Sequence, residues 1–152
     1  MGIGICFVEY RGYGPFSQGK ADAFEMLADV EKAVSYISMW KANEKNPNRI
    51  ISYGRSIGSL MAIQSTLFDK SIVALILESG FSMEGWIVWT KKILAMRGET
   101  SPQKMNEFEK HSRTRLNLDE KLRKFEKPVL IIHAQDDPVV SILNAESNIK
   151  VS

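Results

Sequence analysis

A single cysteine, two histidines and five prolines are all that these 152 residues hold of three informative residue types. With one cysteine, Cys6, no intrachain disulfide can form. Lying in an apolar run, it reads as a small buried residue and not a reactive thiol, and a reducing, cytoplasmic compartment fits. One cysteine and two separated histidines cannot assemble a metal cluster, so neither metal nor cofactor is expected. No apolar run reaches the roughly 20 residues of a membrane span, and no secretory leader precedes the first apolar segment. Charge of one sign is scarce too: 20 Lys and Arg stand against 18 Asp and Glu. Only 97–127 turns basic, from Arg97 through Arg113 and Arg115 to Lys127. Acids interrupt it, so it reads as a solvated helical face and not a nucleic-acid surface.

What is present is the composition of a folded domain: 44% hydrophobic and 25% charged residues, on a chain sized for one domain with a core. Residues 3–10 form a short apolar run read as a buried strand, ended by Arg11-Gly12-Tyr13-Gly14-Pro15. From about Ala21 to Trp40 apolar residues recur at helical spacing (Phe24, Leu27, Ala28, Val30, Val34, Ile37), and Asn46-Pro47-Asn48 breaks the pattern. A strand at 49–53, a helix at 57–68, a strand at 72–77 and a strand at 129–132 follow. The alternation predicts an α/β fold, a mostly parallel sheet with helices on both faces. The long helical interval 82–126 carries Trp86 and Trp89, then a charged stretch. It is where an insertion over a site would lie. No internal repeat or low-complexity tract interrupts the chain.

Gly54-Arg55-Ser56-Ile57-Gly58 links the strand at 49–53 to its helix. G-x-S-x-G in strand–turn–helix context is the nucleophile-elbow pattern. A serine at so sharp a turn takes a strained backbone that pushes its hydroxyl clear of the sheet, and glycines at 54 and 58 are expected to avoid collisions. The helix starting there aims free N–H groups at the site, and the amide of Ile57 is placed to stabilise an oxyanion. The plainer reading is a glycine-rich turn whose serine caps the helix.

A serine nucleophile needs a base oriented by a carboxylate, and parallel α/β sheets gather such groups at the carboxyl ends of their strands. The strand at 129–132 runs into His133-Ala134-Gln135-Asp136-Asp137-Pro138-Val139-Val140, where either aspartate is a candidate acid and either is also an ordinary turn residue before proline. This segment resembles the H-G-x-x-D-x-x-V/I motif of α/β-hydrolases, with Ala134 in place of the glycine. Glu9-Tyr10-Arg11-Gly12-Tyr13-Gly14 is similar to the D/E-Y-R-G-Y-G loop of that family. Tyr53 to Ser59 is similar to its elbow, and Leu77-Glu78-Ser79-Gly80-Phe81 to the strand that follows. Four motifs in order cover most of the chain.

The resemblance implies an acyl-enzyme serine hydrolase acting on a small ester or thioester, with peptide bonds a lesser choice. It implies Ser56 as nucleophile, Ile57 N–H as oxyanion donor, Asp137 as triad acid and no cofactor. It also implies a histidine after a further strand. Only His111 and His133 exist. His111 lies upstream of the acid, and His133 holds a position where similar proteins carry a histidine that is not the base. The family also has a strand between those matching 3–10 and 49–53, and part of its oxyanion hole comes from before residue 3. The expectation is one truncated α/β-hydrolase domain over 1–152, an internal fragment lacking N-terminal strands and the catalytic histidine, inactive and unstable as it stands.

Two other readings stay open. One is a non-catalytic α/β domain that binds a partner or apolar ligand through Trp86 and Trp89, which otherwise pack the insertion onto the core. The other is a nucleotide binder, because Gly14 to Lys20 matches the G-x-x-x-x-G-K skeleton. There Ala21 replaces the magnesium-binding Ser or Thr, and Pro15 removes an amide.

Overall fold

A computed structural model describes residues 4–15, 19–43 and 49–152. The expected break at Asn46-Pro47-Asn48 and the middle of the nucleotide-loop skeleton, residues 16–18, lie outside the described residues. The elements run α1 (Ala23–Asn43), β1 (Ile50–Arg55), α2 (Gly58–Ser65), β2 (Ile72–Glu78), α3 (Met83–Met96), α4 (Pro102–Arg115), α5 (Leu118–Lys124), β3 (Val129–Ile132) and α6 (Leu143–Val151).

Local chemistry explains the helix starts. Asp22 accepts hydrogen bonds from the amides of Phe24 (2.8 Å) and Glu25 (3.0 Å), capping α1. Ser82 does the same for α3 through Gly85 N, and Ser101 for α4, where Pro102 takes the first turn and needs no amide partner. Met26, Leu27, Val30 and Val34 recur along one stripe of α1 and are all buried.

The three strands pair in parallel in the order β1-β2-β3. Strand side chains alternate between faces, so one face presents Ser52, Gly54, Leu75, Leu77, Val129 and Ile131, and the other Ile51, Tyr53, Ile76, Leu130 and Ile132. The first is the back face. Here α2 lies against β1 and β2, with Leu60, Met61 and Ile63 fully buried, and α1 and α5 pack onto α2 from outside. Serine hydroxyls knit the contact: Ser52 Oγ and Ser65 Oγ lie 2.8 Å apart.

The α/β architecture is as expected, a parallel sheet with helices around it, with one correction to its strands. α1 lies on α2 and does not cross the front. Ile51, Tyr53, Leu130 and Ile132 are therefore about half exposed (57%, 55%, 53% and 47%). The expected strand at 3–10 is not formed among the described residues: 4–10 carry no regular secondary structure and pair with no described strand. A strand exists only through a neighbour's hydrogen bonds, and the carboxyl end of this run is tied to α1 instead. Arg11 grips Asp29 with Nε (2.6 Å) and Nη2 (2.5 Å) and reaches Glu25. Cys6, expected to be buried, is consequently exposed.

Candidate active site

The carboxyl ends of the strands come level. Arg55 pairs with Glu78, and Glu78 with Ile132. The row continues one residue further: Ser56 N–H donates to Glu78 O (2.9 Å) and Ser79 N–H to Ile132 O (2.9 Å). Ser56, Ser79 and His133 therefore follow the ends of adjacent strands. Two strand spacings put the first about 10 Å from the last, backbone to backbone.

Ser56 has φ 51°, in the left-handed region that only a tight turn imposes on a serine. Its carbonyl accepts from both Ser59 N (3.0 Å) and Ser59 Oγ (2.6 Å). The fully buried Ser59 hydroxyl accepts in turn from Phe81 N (3.1 Å). The turn is thus fixed on one side by its own helix and on the other by the loop after β2. Gly54 is required: a Cβ there would stand 2.4 Å from Gly58 O and 2.7 Å from Ala62 Cβ. The matching expectation for Gly58 is corrected, because a Cβ at 58 meets nothing within 4 Å. What crowds Gly54 is the backbone of residue 58, not the lack of a side chain there. Ile57 sits at the helix start with αR dihedrals and no side-chain cap. Its N–H takes no partner among the described residues, at the positive end of the helix dipole.

Asp137 lies in the loop after β3. Its Oδ1 accepts from the amides of Val139 and Val140 (both 2.9 Å). These bonds, chiefly that from Val140, hold its carboxyl below the usual carboxylate range, with smaller contributions from the Ser79 side chain and His133. Asp136 is exposed. His133 is not placed as a base for Ser56. Its buried ring donates from Nε2 to Val140 O (2.6 Å), with Asp137 Oδ2 3.8 Å from the same nitrogen, and Nδ1 has no partner. His111 is exposed on α4. Among the described residues neither histidine hydrogen bonds to Ser56.

The insertion forms a wall beside this row. Phe81, Trp86 and Trp89 make a three-ring cluster with centroids 5.3–5.9 Å apart, and Phe81 and Trp86 are almost fully buried. The tryptophans therefore pack the insertion onto the core. Sequence reading missed the polar clasp beneath them. Asn144 Oδ1, on α6, accepts from Ser82 N (2.9 Å) and Ser82 Oγ (3.0 Å), and Asn148 Nδ2 donates to Phe81 O (3.3 Å). The helices approach so closely that a Cβ at Gly85 would stand 1.6 Å from Asn144 Oδ1. An asparagine pair four residues apart on an otherwise apolar helix face was the available signal. Three of the nine basic residues of 97–127 are paired with acids: Arg113 holds Glu84 (2.6 Å) and Glu109 (2.9 Å), Lys104 holds Glu99 and Lys124 holds Glu120.

No family model and no curated protein matches this chain. Among solved structures it is similar to MGS-MChE2, an alpha/beta hydrolase enzyme from the metagenome of sediments from the lagoon of Mar Chica, Morocco. The match has a TM-score of 0.50 at 20% identity and covers 80% of this chain and 54% of that one. It defines the class of fold: a parallel α/β sheet of the α/β-hydrolase kind, spanning about half the length of that enzyme. Among the described residues no helix is long and apolar enough to cross a membrane, and no group of three or more acidic, histidine or cysteine side chains is arranged to hold a metal ion.

Proposed function

We propose that the protein belongs to serine-dependent acyl transfer, with Ser56 as the nucleophile that attacks an ester or thioester carbonyl. The observation that carries this reading is the left-handed backbone of Ser56 at a strand–helix turn whose approach demands glycine at 54. In the proposed mechanism the Ser56 hydroxyl adds to the carbonyl carbon, and the Ile57 N–H receives the oxyanion. The alcohol or thiol leaves to give a seryl ester, which water then hydrolyses. Asp137 orients the base, and the reading assigns that base to a histidine outside these 152 residues, because His133 is committed to Val140 O. The chain alone then holds nucleophile, one oxyanion donor and acid, and turns over poorly. The substrate is a small acyl compound, and no cofactor takes part.

Imidazole supplied in solution tests the assignment. With a p-nitrophenyl ester, the chain is expected to release a stoichiometric burst of nitrophenolate that accelerates with imidazole and vanishes in Ser56→Ala. A burst unchanged by that substitution would refute the reading.

A non-catalytic binding role is favoured by one observation. The Asp137 carboxylate is already engaged by two loop amides, as a plain turn residue would be. Absence of any seryl ester at every imidazole concentration would select it.

A further inference from the structure

A fully buried position on a helix that faces the core asks for an apolar side chain, yet α2 carries a serine at 59. Its partners fix which way the hydroxyl points. Ser56 O can only accept and Phe81 N–H can only donate. The single Ser59 proton therefore goes to Ser56 O (2.6 Å), and a lone pair of the same oxygen receives Phe81 N–H (3.1 Å) from 22 residues away. The loop presses close, since a Cβ at Gly80 would stand 3.0 Å from Ser59 Cβ. That loop is itself anchored on α6: Asn148 Nδ2 donates to Phe81 O (3.3 Å), and Asn144 Oδ1 accepts from Ser82 N (2.9 Å).

The carbonyl that Ser59 grips belongs to the same peptide unit as the Ile57 N–H. A trans peptide is planar, with its C=O and N–H pointing in opposite directions. The two bonds that draw Ser56 O toward residue 59, from its N (3.0 Å) and its Oγ, therefore aim the Ile57 N–H the other way. Ser65 and Thr66 make the same back-bond to a carbonyl three residues earlier (2.7 Å each), so that bond alone is ordinary helix chemistry. Ser59 differs in which carbonyl it holds, the one behind the unpartnered amide, and in its second tie to the loop after β2.

We propose that Ser59 is a positioning residue for acyl transfer: by clamping Ser56 O it keeps the Ile57 N–H aimed at the oxyanion that forms on the substrate. This rests on Ser56 being the nucleophile. Ser59 touches no reacting atom, and its effect falls in the transition state, where negative charge develops on the carbonyl oxygen.

The test follows the nitrophenolate burst of the full chain with imidazole over a range of ester concentrations, in the parent, Ser59→Ala and Ser65→Ala. Ser65 is a matched control: a buried hydroxyl of the same helix, bonded to Ala62 O and 2.8 Å from Ser52 Oγ, away from the turn. Ser59→Ala is expected to lower the maximal burst rate by about tenfold or more while the half-saturating ester concentration holds. Ser65→Ala is expected to change neither. Residual dipolar couplings read the N–H directions of α2 in parallel. The Ile57 N–H is expected to turn in Ser59→Ala while the amides of 60–65 keep their directions. If Ser59→Ala does not fold, Ser59→Cys carries the same expectations, because a thiol is only a weak donor and acceptor. A burst equal to the parent's overturns the proposal. So does a loss confined to the half-saturating concentration, or an Ile57 N–H that keeps its direction. A parent chain that forms no seryl ester refutes the acyl-transfer reading instead, and the Ile57 coupling then decides by itself whether Ser59 sets this peptide.

Discussion

Leu77 and Leu130 lie on neighbouring parallel strands, two leucines in equally apolar runs, yet one is fully buried and the other 53% exposed. Leu77 faces the back of the sheet, under the helices that pack there. Leu130 faces the front, where no described helix lies. The back face and the clasp at α6 are finished structure: a close-packed core and a buried asparagine, Asn144, with its partners. The front face and the run 4–10 are apolar but uncovered. Stability therefore belongs to one side of the sheet, while the chemistry-bearing turns sit along the carboxyl ends of the strands, where both sides meet.

The sharpest way to break this comparison is to truncate both leucines. Leu77→Ala empties a fully buried site and is expected to cost about 3–5 kcal/mol, whereas Leu130→Ala is expected to cost under about 1 kcal/mol. Urea unfolding of the pair measures both, and similar losses would mean that the front face is covered in solution.

A second expected effect lies at the boundary. Burial, with a smaller contribution from the Asp29 charge, pushes the Tyr10 phenol up to about 12. The neutral phenol is favoured in the fold, so its contribution is full below the ordinary tyrosine value near 10 and is lost as pH rises from about 10 to 12. Tyr10→Phe is expected to remove up to about 2–3 kcal/mol of that alkaline loss, seen as a flatter stability profile above pH 10. An unchanged profile would place Tyr10 in the solvated half.

Asn144→Ala strands the buried Ser82 amide and hydroxyl and is expected to cost about 1–3 kcal/mol. It should also loosen the 79–82 loop, visible as faster amide exchange at Phe81 and Ser82. The smallest effect belongs to the front: Ile132→Thr should shift stability by no more than about 0.5 kcal/mol.

Much of this was legible in the residues. The helical stripe of α1, the glycine-bounded turn at Ser56 and the Lys-Pro entry to β3 are local signals, and local signals fix elements well. The run 3–10 misled because its composition reports a wish to be buried in a sheet, while strand formation depends on a neighbour elsewhere in the chain. Gly58 misled for a related reason, since a motif glycine need not be crowded in this backbone. The roles of His133, which closes the 133–140 loop through Val140 O, and of Asn144 depend on contacts across seven and sixty-two residues. No periodicity encodes those. The row formed by Ser56, Ser79 and His133 became visible only from strand register.

That row also sets the most direct test of the account. Ser56 and Ser79 both carry left-handed backbones, φ 51° and 45°, at the ends of adjacent strands, and only Ser56 opens a helix with a free amide behind it. Reaction of the chain with a fluorophosphonate in the presence of imidazole, followed by peptide mapping, reads which serine is activated. The account predicts a single adduct on Ser56, lost in Ser56→Ala and retained in Ser79→Ala. An adduct on Ser79 or Ser59, or none on any serine, would contradict it.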